Sequence, residues 1–218
     1  MDEPTATLIS GVIISGGTMM TKFFGPLLSP MGHEIGTELR DQFLRLRRRR
    51  AETAMERAEA MLVAAGREAG PVDAKRLTAI LDGASNEEDP DLSEKWAALL
   101  ANSVDDADNS VVHPAFTRIL NELTSFDARV LEAIARGTVP LGDQPRGTAR
   151  ERLALFVGEP DRHRVDVALD NLMRTGLISA GRRAKWDGIP GLDGDEDMIV
   201  TNTFGNQFLT ACQAPKER

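Results

Sequence analysis

A chain of 218 residues with 41% hydrophobic content is long enough to bury a substantial core in one or two domains. Aromatic residues make up 5% with no tyrosine, while Leu, Ala and Met abound, a balance that favours helix over sheet. The net charge of −8 argues against general nucleic-acid binding, whose affinity comes from neutralising phosphates, and the single cysteine, Cys212, excludes an internal disulfide and a multi-cysteine metal site.

Charge is unevenly placed. Residues 1–66 balance, whereas residues 67–124 carry 5 Lys and Arg against 12 Asp and Glu. This acidic middle reads first as a solvated surface and second as a dock for a basic partner. Asp2 and Glu3 stand where a secretory signal carries positive charge, so the chain reads as unexported and cytoplasmic, in keeping with its lone cysteine.

Residues 1–31 form a Gly-rich apolar segment in which, from Leu8 to Met31, Lys22 is the only charge. The uninterrupted run from Leu8 to Met20 is shorter than the roughly 18–20 residues a spanning helix needs, and Gly11, Gly16, Gly17, Pro26 and Pro30 oppose one long helix. Burial against the rest of the fold is the preferred reading over membrane insertion. Gly25, Ser29, Gly32 and Gly36 permit close helix approach and are the candidate assembly residues.

Residues 32–66 predict one long helix. Ile35, Leu39, Phe43, Leu46, Met55, Met61 and Leu62 form a discontinuous apolar stripe, and Gly66 followed by Gly70-Pro71 ends it. A basic collar interrupts the stripe at Arg45, Arg47, Arg48, Arg49 and Arg50. At 100° per residue these arginines wind around the helix, so only some of them meet any one surface. The preferred reading pairs them with Asp41, Glu52 and Glu56 of the same helix; anionic lipid, phosphate backbone, or the acidic helices of a neighbouring subunit are the alternatives.

Residues 71–124 predict an acidic helical domain. A helix from Asp73 to Asp82 turns Leu77, Ile80 and Leu81 inward. The next has Asp89 as N-cap and Pro90 at the first helical position, with Leu92, Trp96, Leu99, Leu100 and Val104 on its apolar face and Glu94 and Lys95 on the other. Asp105, Asp106 and Asp108 crowd a loop that lacks the glycine turn and terminal glutamate of an EF-hand. A further helix begins at Pro114 with Phe116, Ile119, Leu120 and Leu123 inward, and another at Thr124, whose hydroxyl pairs reciprocally with Asp127.

Residues 125–212 have the outline of a winged helix-turn-helix, leaving 213–218 as a tail. After the helix ending near Arg136, Thr148 and Glu151 predict a capping box, and a recognition helix follows Pro160 with Val165, Leu169, Leu172 and Met173 inward, stopping at Gly176. Leu177–Ser179 and Met198–Thr201 predict two antiparallel strands with residues 181–197 as the wing, and Thr203 opens a closing helix that runs to Cys212. Arg162, Arg164, Arg174, Arg182 and Arg183 are the candidate interaction residues here, but Asp161, Asp166 and Asp170 share the helix and acids fill the wing tip, so a protein partner is preferred over DNA.

Leu81 to Ala84, the acidic turn Asn86 to Asp91, Trp96-Ala97-Ala98-Leu99-Leu100-Ala101-Asn102, and His113-Pro114 with Phe116 through Phe126-Asp127 together resemble the Abi-alpha (abortive infection alpha) family. Gly25-Pro26-Leu27-Leu28 and Thr203-Phe204-Gly205 with Phe208-Leu209 extend the likeness. The resemblance implies a place in bacterial anti-phage defence and offers no catalytic residues to carry over.

His33, His113 and His163 sit in different elements, and Cys212 beside Phe208 and Leu209 reads as a buried small hydrophobe, so neither a catalytic set, a metal site nor a cofactor is expected. The fold expected is mainly α, a helical bundle with a long N-terminal helix and a C-terminal winged-helix-like module with a short β-hairpin. The function expected is non-enzymatic, through a protein partner and homo-oligomeric self-assembly. A membrane-acting effector working through the N-terminal segment on an anionic surface is one alternative, and a winged-helix DNA-binding regulator is the other.

Overall fold

The computed structural model describes residues 37–105, 112–136, 148–181, 184–185, 195–196 and 198–217. The apolar N-terminal segment and Gly25, Ser29, Gly32 and Gly36 therefore lie outside the described residues, as do Asp106, Asp108, Arg182, Arg183 and Trp186. The chain is mainly helical. Its elements are α1 (Thr37–Ala64), α2 (Ala74–Asn86), α3 (Pro90–Val104), α4 (Phe116–Glu122), α5 (Ser125–Arg136), β1 (Thr148–Ala149), α6 (Arg150–Val157), α7 (Arg162–Arg174), β2 (Ile178–Ala180), β3 (Ala184–Lys185), β4 (Asp195–Glu196), β5 (Met198–Thr201) and α8 (Thr203–Ala211). No helix among the described residues is long and apolar enough to cross a membrane.

Helix α1 is built from strong helix formers with no Gly or Pro in its 28 residues. It stops at Gly66, whose φ of 64° lets the Gly66 and Arg67 N–H groups turn back onto the carbonyls of Val63 and Leu62. Its buried seam differs from the expected stripe. Ala51, Ala54, Ala58 and Ala65, with Met55 and Leu62, face α2 and α3, while Phe43 and Leu46 are 54% and 50% exposed. Alanines at intervals of three and four let the helix backbones approach closely, whereas Phe43 and Leu46, upstream of Ala51, stand outside the bundle.

Helix α2 is capped by Asp73, which accepts from the Arg76 N–H at 3.0 Å, and buries Leu77, Ile80 and Leu81 as the pattern predicts. Asp89 caps α3 by accepting from Asp91 and Leu92 N–H groups, with Pro90 in the first turn. Burial alone would raise the Asp89 carboxyl, but those N–H groups, the Ser125 hydroxyl and the Arg129 charge outweigh it and hold the pKa below its ordinary value. The sequence suggested one apolar face for α3. In the structure every residue from Trp96 to Asp105 is buried, because α1 and α2 pack on one side and α5 and α8 on the other. The all-round apolar run Ala97 to Ala101 suits that central place. Fully burying each large side chain, such as Trp96 or Phe116, contributes roughly 2–3 kcal/mol.

Helix α4 starts two residues after Pro114 and buries Phe116, Ile119 and Leu120 as expected. The Thr124 and Asp127 capping box forms: the Asp127 N–H donates to Thr124 Oγ1 at 3.1 Å and the Thr124 N–H to Asp127 Oδ2 at 2.9 Å. Thr148, expected at the start of the following helix, stands two residues before it. It lies in β1, opposite Ile199 of β5, and α6 begins at Arg150. Strand β5 also pairs with β2, antiparallel as the pattern predicts and with Ile178 opposite Thr201, so the sheet order is β1-β5-β2, all antiparallel. The pair β3 and β4 carries the β2–β5 hairpin outward. Helix, strand, helix, helix and hairpin in this order are compatible with a winged helix. Met173, expected inside, is 37% exposed, and Ala168 takes the inward position on α7 instead.

Helix α8 closes the molecule against α3 and the sheet. Gly205 makes this closure fit: a Cβ there would stand 1.9 Å from the Leu177 carbonyl oxygen, a backbone atom with no room to give.

Candidate functional site

The basic collar meets acids of its own chain. Arg47 donates from Nε and Nη2 to Ser85 Oγ at 3.0 and 2.8 Å and pairs with Asp82, while Ser85 in turn donates to the Asp82 carbonyl. Arg50 Nη2 reaches Glu88 at 2.8 Å, and two turns on Arg57 reaches Glu94 at 3.6 Å. Of the pairings expected along α1 itself, Arg48 with Glu52 forms at 2.9 Å. Arg47 and Arg50 instead cross to the end of α2 and the turn before α3, because the bundle lays that acidic corner beside the collar. The local charge count of residues 67–124 was the available signal for this. Each solvent-facing pair contributes no more than about 1 kcal/mol, so the crossing sets orientation more than stability. Arg45 and Arg49 are exposed.

On α7, Asp161 caps the helix by accepting from the His163 N–H at 3.0 Å. Arg164 pairs with Glu159 at 2.8 Å on the surface, with its guanidinium 4.5 Å above the Phe126 ring of α5. Arg174 donates to Glu122 at 2.8 Å and to Asn171 Oδ1 at 2.7 Å. That hydrogen bond, with the charges of Arg174 and Arg118, holds the Glu122 carboxyl below its ordinary value against the effect of burial. Arg162, His163 and, two turns on, Asp170 are exposed. Large apolar groups share the exterior of this unit: Val167 is 56% exposed on α7, and Leu155 and Phe156 are 83% and 60% exposed on α6.

The residues of the family-like motifs converge elsewhere. Phe116 packs against Phe204 and Phe208 at ring distances of 5.2 and 5.3 Å, and His113 covers Phe204 at 5.4 Å. His113 Nδ1 also accepts from the Ala115 N–H, which starts the turn into α4. Buried Asn102 donates to the carbonyls of Ala98, Ala211 and Gln213, tying α3 to the end of α8. Asn202 caps α8 through the Gly205 N–H and donates to the Gly176 carbonyl.

A sequence model of the abortive infection alpha family matches residues 40–212. The chain belongs to that family. No curated protein and no solved structure matches it. In this abortive infection alpha chain the motif residues Asn102, His113, Phe116, Phe204 and Phe208 are joints of the fold, in a node of α3, α4 and α8.

Among the described residues of the abortive infection alpha chain, no group of three or more His, Cys, Asp or Glu is placed to hold a metal ion. Asp105, from the acidic loop, is buried and paired with Arg67, whose Nε also donates to the Lys216 carbonyl at 3.1 Å. Desolvation pushes the buried Cys212 thiol up to about 12, and Lys95 and Glu132, paired with each other nearby, bear on it in opposite senses. A groove of about 360 Å³, lined by Arg57, Met61, Ala64, Glu94 and Pro215, runs beside α1.

Proposed function

We propose that this abortive infection alpha chain is a non-enzymatic, cytoplasmic binding protein of anti-phage defence, which engages a protein partner through the α6–α7 exterior and self-assembles through its apolar N-terminal segment at Gly25, Ser29, Gly32 and Gly36. The observation that carries the partner reading is the character of that exterior. Leu155, Phe156 and Val167 are exposed, while Arg164 and Arg174, each 57% exposed, already pair with Glu159 and Glu122. Specific base readout needs Arg, Asn or Gln presented to the groove with phosphate contacts around them, and among the described residues of α7 Arg162 and His163 are a thin set.

The test is phage plating on cells that express the chain. Leu155→Ser combined with Phe156→Ser should abolish protection while the purified variant keeps the parental melting curve. Full protection by that variant sinks the partner reading. Duplex binding that falls steeply with salt and weakens in Arg162→Ala would replace it with a DNA-binding regulator. Light scattering of the full chain against one starting at His33 tests the assembly.

A further inference from the structure

We draw no further inference here: the strongest candidate, the groove of about 360 Å³ between α1 and the stretch after α8, lined by Met61, Ala64 and Pro215, is an unpartnered apolar face, and nothing in the structure shows what covers it.

Discussion

The six-membered ring of Trp96 rests directly on the α-carbon of Gly83: a methyl group at Gly83 would lie 2.2 Å from the ring carbon Cη2. The contact brings the last turn of α2 close to the middle of α3. The indole is fully buried and its Nε1 has no hydrogen-bond partner, so this tryptophan is kept for its shape. Helix propensity alone says that Gly83→Ala should stabilise by up to about 1 kcal/mol. Overpacking says the reverse, and with a rigid ring in the way it wins. Gly83→Ala should cost about 1–3 kcal/mol in urea unfolding, partly recovered by Trp96→Phe in the same chain. A stabilised Gly83→Ala would contradict the contact.

A second prediction concerns the start of α5. Asp127 Oδ2 accepts from the Thr124 N–H, the Thr124 hydroxyl and the Asn171 amide at 3.1 Å, so one buried carboxylate both caps α5 and anchors α7. Asp127→Ala should cost about 2 kcal/mol, the loss of a cap plus a stranded amide. Asn171→Ala should cost less, and the double variant should fall short of the sum by roughly 0.5–1 kcal/mol. Strict additivity in a denaturant titration would mean the two side chains act independently.

Acid should loosen the same region. Glu122 and Asp89 both have folded pKa values below their ordinary 4.5 and 3.8. A depressed carboxylate stabilises the fold above its unfolded pKa, and that contribution is lost as pH falls through the folded value. The melting temperature should therefore drop as pH falls below the ordinary carboxylate range. Glu122→Gln and Arg174→Ala should each flatten that dependence. Unchanged slopes in both would show that the pair does not titrate with folding.

Cys212 should be silent to thiol chemistry in the native protein. With the thiol pKa at about 12 and the side chain buried under α8, little thiolate exists at pH 8 and none of it is accessible. Iodoacetamide should label the chain only after denaturation. Rapid native labelling would reveal an α8 that opens readily.

Much of this architecture could be read before any coordinates, because its signals are local. The Asp89-Pro90 pair and the Thr124 to Asp127 box each name a helix start within four residues and form as written, while the helix read from Asp73 to Asp82 runs from Ala74 to Asn86 with Asp73 as its cap. The features that escaped are those set by distant chain. The seam of α1 is written in Ala51, Ala54 and Ala58, which carry no hydrophobic contrast, while Phe43 and Leu46 carry contrast and face outward. Thr148 has the residue type of a cap, yet its partner Ile199 lies fifty residues downstream, and a two-residue strand has no period to detect. At the candidate site, the arginines were visible as a run, but that Arg47 spends itself on Asp82 and Ser85 follows only from how α2 folds back.

The hold of Asn102 on the carbonyls of Ala211 and Gln213, together with that of Arg67 on the Lys216 carbonyl, means that the first helices and the last are joined by side chains as well as by the peptide backbone. A protease cut in the connection between α3 and α4 should then leave two fragments that travel together as a non-covalent complex. Peptide continuity is one of two bonds between the halves, and the side-chain bond is the one that fixes how they fit.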